Sequence, residues 1–313
     1  MPRKEYSLFF QDIFFYITGN ADVSIADFRK DSWIYPADWG YQISRDSVYF
    51  SPKDARGVPI RDYPGSLGEQ YLYSRIAGYA LGHWNRFTLE GDDDSRGRFL
   101  NIADWLSDNK TGRYEHDFPV AEMQLPWISC ISQGEIASVL ARACHLTGEA
   151  RFADAAERAA HWLARPVADG GVLDHLPDGQ PFLGEYPGSK YRHVLNGCLY
   201  AVVGLHDTIR VCSNNEDHMT LFRALIAALE ANLQHWDVDG WSVYDFGGNG
   251  SQANLNTMTY QILQTALLSY LAHVSGSATL QAYSDRWQRS ARSLPRRLSA
   301  MQRKFSYRLS QGW

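Results

Sequence analysis

Residues Ser132-Gln133-Gly134-Glu135-Ile136-Ala137-Ser138-Val139-Leu140-Ala141-Arg142-Ala143-Cys144-His145-Leu146, then Thr147-Gly148, then Phe152-Ala153-Asp154-Ala155-Ala156-Glu157-Arg158-Ala159-Ala160, decide the fold. Apolar residues recur at helical spacing in both halves: Ile136, Val139, Leu140 and Ala143 in the first, Phe152, Ala155, Ala156, Ala159 and Ala160 in the second. The first half is almost wholly apolar or small, as a buried inner helix should be; the second carries charge along one face, as an outer helix should. The Thr147-Gly148 step between them reads as a turn.

Working outward, the same unit recurs with a loose period of about 60 residues. One copy runs from near Gly68-Glu69-Gln70 through Ile76 to Leu81, turns at Gly91-Asp92-Asp93-Asp94, and returns from Phe99 to Leu106. Another starts at Leu195-Asn196-Gly197, turns at Ser213-Asn214-Asn215, and returns through Phe222 to Trp236. A last one starts near Asn256-Thr257, turns at Ser275-Gly276, and returns through Leu280 to Leu294. Repeated inner/outer pairs predict a mainly α fold: an (α/α) toroid, or incomplete barrel, of about four helical hairpins over residues 66–313. Residues 1–65, with the alternating Ser47-Val48-Tyr49-Phe50, read as a short β-containing N-terminal lead-in. In such a ring the long polar loops 116–133, 169–196 and 237–256 gather at the end where the chain enters each inner helix. A cleft with a site is expected there.

Composition narrows the class. With 45% hydrophobic and 21% charged residues the chain has the makings of a packed core, which excludes disorder. A net charge of -5 marks no global attraction to nucleic acid. Cys130, Cys144, Cys198 and Cys212 form no Cys-x-x-Cys pair, so buried thiols are expected and a metal site is not. Met1 to Ile17 reads neither as a signal peptide nor as a membrane span, which makes cytoplasmic residence the expectation. Phe10, Phe14 and Ile17 share one helical face, whose expected use is packing on the body of the protein, with a membrane surface or a homodimer seam as the other uses. The basic stretch from Arg286 to Trp313 reads as an amphipathic tail helix.

Gly184-Glu185-Tyr186-Pro187-Gly188-Ser189-Lys190-Tyr191-Arg192-His193-Val194-Leu195-Asn196-Gly197 places an acid, two phenols, three cations and an amide in one Pro/Gly-shaped turn. This segment, Ser132-Gln133-Gly134 preceded by Trp127, and Val243-Tyr244-Asp245 together resemble the C-terminal catalytic domain of the D-glucuronyl C5-epimerases, over roughly residues 60–275. The resemblance implies proton exchange at C5 of a hexuronate within an acidic polysaccharide or oligosaccharide, with no cofactor. It implies Tyr186 and Tyr244 as the proton-exchanging pair with Glu185 beside them. Lys190, Arg192 and His193 would hold the carboxylate, and Gln133, Asn196, Asp245 and Trp127 would line the substrate. Two departures stand out: Gly247 occupies the position of a family arginine, and a further family tyrosine falls near Leu255, with Tyr260 five residues on.

Structural readings accompany each residue. Tyr186-Pro187 also makes a rigid corner, Asn196 also makes a helix cap, Gln133 can bond a loop carbonyl, and Glu185 can pair with Arg192. Rival functions are a polysaccharide lyase sharing the C5 proton abstraction, a glycoside hydrolase using two carboxyls, and a non-catalytic glycan-binding protein on the same scaffold.

Overall fold

The computed structural model describes residues 3–44, 48–120, 123–188, 193–213, 215–246 and 253–311. Four antiparallel helical hairpins follow one another: α3 (Tyr73–Glu90) with α4 (Asp93–Ser107), α5 (Cys130–Thr147) with α6 (Ala150–His161), α7 (Leu195–Ile209) with α8 (Glu216–Asn232), and α9 (Met258–Ser275) with α10 (Ala278–Arg292). The hairpin turns use their local chemistry as the sequence suggests. Gly91, Gly148 and Gly276 take left-handed C-cap conformations. Asp92 and Ser277 cap the following outer helices with side-chain oxygens.

The odd-numbered members are inner helices and are buried nearly all round. α3 packs on α5, α5 on α7, and α7 on α9. The tightest of these contacts is between α5 and α7, where a Cβ on Gly204 would lie 2.0 Å from the Gly134 carbonyl oxygen and one on Gly134 would lie 2.4 Å from the Ala201 Cα. Only glycine at both positions lets the two backbones approach so closely.

Three further helices and four two-stranded antiparallel hairpins complete the described structure: α1 (Arg3–Thr18), α2 (Gly40–Ser44) and α11 (Leu294–Ser310), with β1 (Ser24–Ile25) on β2 (Ala37–Asp38), β3 (Arg61–Tyr63) on β4 (Gly68–Gln70), β5 (Leu173–His175) on β6 (Pro181–Leu183), and β7 (Asp237–Val238) on β8 (Trp241–Ser242). The lead-in closes the ring: β2 packs against both α9 and α3. Beside it, Asn85 of α3 accepts from the Tyr35 N–H at 2.8 Å and donates to the Tyr35 carbonyl at 2.9 Å. Buried residues from Phe15 to Ala300 form one continuous core.

Below the cleft, Arg142 of α5 and Asp207 of α7 form a fully buried ion pair at 2.5 Å. Ser138 donates to the same Asp207 oxygen at 2.7 Å, and Arg142 reaches the lead-in through the Trp33 carbonyl at 3.0 Å.

Three local expectations are corrected. Gly68–Gln70 does not open the first inner helix but pairs with Arg61–Tyr63; α3 begins at Tyr73. Val48–Phe50 is a 3-10 turn rather than a strand, which stacks Tyr49 on Trp39 at 5.7 Å. In α1 the face that packs inward carries Phe15 and Tyr16, while Phe10, Phe14 and Ile17 are 65%, 54% and 53% exposed. Among the described residues no helix is long and apolar enough to cross a membrane.

Candidate active site

A cleft of about 570 Å³ opens at the N-terminal ends of the four inner helices. Ser74 and Gly78 of α3, Ser132 and Glu135 of α5, Asn196 and Tyr200 of α7, and Tyr260 and Leu263 of α9 line it, with Tyr49, Arg61 and Tyr63 from the lead-in. Four helix N-termini at one opening place four positive dipole ends there, an environment that favours a negative ligand.

The site loops are held by those N–H groups. Neither Ser129 before α5 nor Val194 before α7 makes a side-chain cap. Instead the first N–H of α5, on Cys130, donates to the Gly184 carbonyl at 3.2 Å, and the first N–H of α7, on Leu195, donates to the Tyr244 carbonyl at 3.2 Å. The Ser129 hydroxyl adds a 2.8 Å bond to the Glu185 carbonyl. Each loop is thus stitched to the start of the inner helix that precedes it in the chain, which brings Glu185 and Tyr186 to the cleft wall and sets Tyr244 beside the cleft-lining Tyr260.

There the three groups are electrostatically linked: Tyr186 eases the ionisation of Glu185, and Tyr244 that of Tyr186. Burial lifts the Glu185 carboxyl to about 7, with the Tyr186 donor opposing the rise. Burial, and then the Glu185 charge, hold both phenols above their ordinary range. Gly197 leaves the space that Glu185 fills, since a Cβ there would come 2.7 Å from a Glu185 carboxyl oxygen. Asn196 lies in the first turn of α7 and is not its cap. Its amide approaches the Glu185 carboxyl at 3.4 Å, while its buried carbonyl oxygen has no partner.

The remaining expected residues divide. Trp127 lines the cleft as a wall: its ring lies 6.2 Å from that of Tyr186, and its N–H is taken by the Phe118 carbonyl at 2.9 Å. Gln133 is not in the cleft. Fully buried, it accepts from the Tyr114 N–H at 2.9 Å and donates to the Gly112 and Ala159 carbonyls at 2.8 and 3.0 Å, so its polar atoms are spent on pinning a loop and α6. His193 is also turned away, its ring nitrogen 2.9 Å from the His175 carbonyl and its ring edge-on to Phe182 at 5.1 Å. Asp245 lies behind Tyr244 near Lys304, outside the cleft lining, with its carboxyl raised by burial. Lys190, Arg192 and Gly247 fall outside the described residues.

Residues the sequence did not single out complete the walls. Tyr260 packs edge-on against Tyr244 at 6.0 Å and lines the cleft, so a third tyrosine reaches the site from α9 despite its displaced position in the sequence. His116 lies against Trp127 at 4.5 Å and beside the Ser132 hydroxyl at 3.3 Å; burial depresses its imidazole to about 4, leaving it neutral. Glu135 is 2% exposed on the cleft floor. An acid inside an otherwise apolar inner helix was the available signal for it.

The architecture is that of an α/α toroid with its site at the loop end of the inner helices. It is shared by a solved polysaccharide lyase, at 12% identity and TM-score 0.51 over 80% of this chain and 69% of the lyase. The sequence profile of the D-glucuronyl C5-epimerase C-terminus matches residues 107–289, more than half of the chain. The chain belongs to that family. A D-glucuronyl C5-epimerase of Caenorhabditis elegans is 28% identical over 210 residues, 60% of this chain but 34% of the nematode protein, so the chain spans about a third of that relative. An uncharacterized protein of Methanocaldococcus jannaschii is 24% identical over 256 residues, 80% of this chain and 78% of its own.

Proposed function

We propose that the protein is a hexuronyl C5-epimerase acting on an acidic glycan. The observation that carries this reading is the buried Glu185 beside Tyr186 on the cleft wall, with Tyr244 packed behind them against the cleft-lining Tyr260. Epimerisation at C5 breaks the C5–H bond, moves its electron pair into the adjacent carboxylate as an enediolate, and returns a proton to the opposite face. The enzyme must therefore accept a proton, give one, and reset between turnovers. A carboxyl lifted to about 7 is part-ionised at neutral pH and is suited to draw the Tyr186 proton as that phenol oxygen takes the C5 proton. Tyr244, still protonated, is the donor for the other face, and after turnover the proton held on Glu185 returns to the tyrosine pair. No cofactor is required. The helix N-termini around the cleft favour the uronate carboxylate and the charge that builds on it.

Incubation in D₂O with glucuronate- and iduronate-containing glycans tests the reading. Deuterium at C5 with the chain length intact is the expected result. Unsaturated fragments would identify a lyase, new reducing ends a hydrolase, and binding without exchange a glycan-binding protein.

A further inference from the structure

The chemistry above leaves one buried acid unused. Glu135 lies on α5 one turn beyond Ser132, and its carboxyl lines the same cleft as Glu185. Among the described residues it has neither a hydrogen-bond nor an ion-pair partner. The ionisable groups that sense it are Glu185 from the loop before α7, Tyr49 on the 3-10 turn, Tyr35 in the lead-in and Tyr200 on α7; none is a cation. Burial, with the Glu185 charge second, holds the Glu135 carboxyl well above the ordinary carboxylate range. An acid so placed keeps its proton and becomes an O–H donor.

The neighbourhood is short of partners in a consistent way. The Trp39 indole N–H and the Asn196 carbonyl oxygen, both on cleft-lining residues, and the Tyr35 hydroxyl beneath are buried and unbonded. On the lead-in side Arg61 also lines the cleft, its guanidinium over the Tyr63 ring at 5.0 Å and, among the described residues, in no ion pair. Behind it the 93% buried side chain of Arg75 stacks over Tyr49 at 4.8 Å with its Nε unbonded. The other cleft-lining arginine, Arg308, is committed to Asp12 at 2.8 Å. Among these unbonded groups the donors, on Trp39 and Arg75 with the Tyr35 hydroxyl, outnumber the one pure acceptor, the Asn196 carbonyl oxygen.

We propose that Glu135 anchors the ligand: its carboxyl O–H donates a hydrogen bond to the carboxylate of a bound uronate, and Arg61 supplies the cation from the lead-in wall. This rests on the uronate reading of the site. It assigns Glu135 to binding and to orienting the carboxylate, next to the Glu185 that draws the proton.

Calorimetric titration with a glucuronate oligosaccharide, and with its carboxyl-reduced neutral counterpart, tests it. Glu135→Ala should weaken uronate binding about 10- to 100-fold, the range for a hydrogen bond to a charged group. Binding of the neutral glycan should be unchanged. Glu135→Gln, which keeps a donor and the shape, should bind uronate within a few-fold of the parent, and circular dichroism checks that each variant folds. In a Glu185→Gln background, uronate affinity should fall as pH rises above neutrality, and adding Glu135→Gln should abolish that fall. An unchanged uronate affinity in Glu135→Ala, or equal losses for both glycans, overturns the assignment. Uronate binding with the expected signature but without C5 exchange would overturn the epimerase reading and leave this assignment standing. C5 exchange with an affinity indifferent to Glu135→Ala would do the reverse.

Discussion

Replacing the Tyr186 or Tyr244 hydroxyl by hydrogen tests the proton chain at its two oxygen links. Each change keeps the ring and its packing, so Tyr186→Phe and Tyr244→Phe should fold normally and lose about 10²- to 10⁴-fold in C5 exchange rate, the usual worth of a positioned acid or base. Retention of exchange in both variants would remove the tyrosine mechanism. Glu185 adds a pH signature of opposite sign in activity and stability. Its folded-state carboxyl is raised from 4.5 to about 7 by burial. Exchange that needs it ionised should therefore climb through about that pH. The stability it contributes is full below the unfolded value and is lost as pH rises through the folded one, roughly 3 kcal/mol over that window. Glu185→Gln should flatten both profiles, which pH-rate and denaturant-unfolding series would register together. Part of this cleft was legible: Glu185, Tyr186, Asn196 and Trp127 line it, and Tyr244 packs beside it against Tyr260. Gln133 was misread because a motif does not say which side of a helix faces the ligand. At about 100° per residue, Ser132 and Glu135 share a face and Gln133 turns off it.

The inner helices explain why those motifs carry glycine. Ser132-Gln133-Gly134 resembles a binding motif, yet two of its three residues serve packing: Gln133 bonds three backbone groups and Gly134 admits the backbone of α7. In Leu195-Asn196-Gly197 the asparagine faces the cleft and the glycine makes room for Glu185. Sequence periodicity located the helices to within a few residues. It was silent on this division because a close approach between helices leaves no local pattern. Gly204→Ala should accordingly destabilise the fold by about 1–3 kcal/mol or more, since the methyl would meet the Gly134 carbonyl with no flexible side chain to yield. Arg142→Ala, which leaves Asp207 buried and uncompensated, should cost about 3–5 kcal/mol. Urea unfolding of the two variants measures both costs. Values within a few tenths of a kcal/mol of the parent would deny these contacts their structural role.

At the scale of the molecule, four hairpins make an incomplete ring, and the lead-in supplies the missing sector. The sequence marked residues 1–65 as a short β-containing lead-in but not as the closure of the ring, because strands of two or three residues are too short to show a period. β2 bridges α9 and α3, Tyr35 is tied to Asn85, and the Trp33 carbonyl accepts from Arg142. The same segment lends Tyr49, Arg61 and Tyr63 to the cleft. A lead-in that shares both the core and the site should not melt on its own. Far-UV circular dichroism follows mainly the toroid helices, whereas the fluorescence of a variant keeping only Trp33 and Trp39 would follow the lead-in. The two thermal transitions should coincide, and a Tyr35→Ala change should shift them down together, by the order of 3–5 kcal/mol expected for emptying a large aromatic site. An early lead-in transition with the toroid unmoved would instead mean that ring closure is dispensable, and that the cleft can lose its Arg61 wall while the tyrosine wall stays in place.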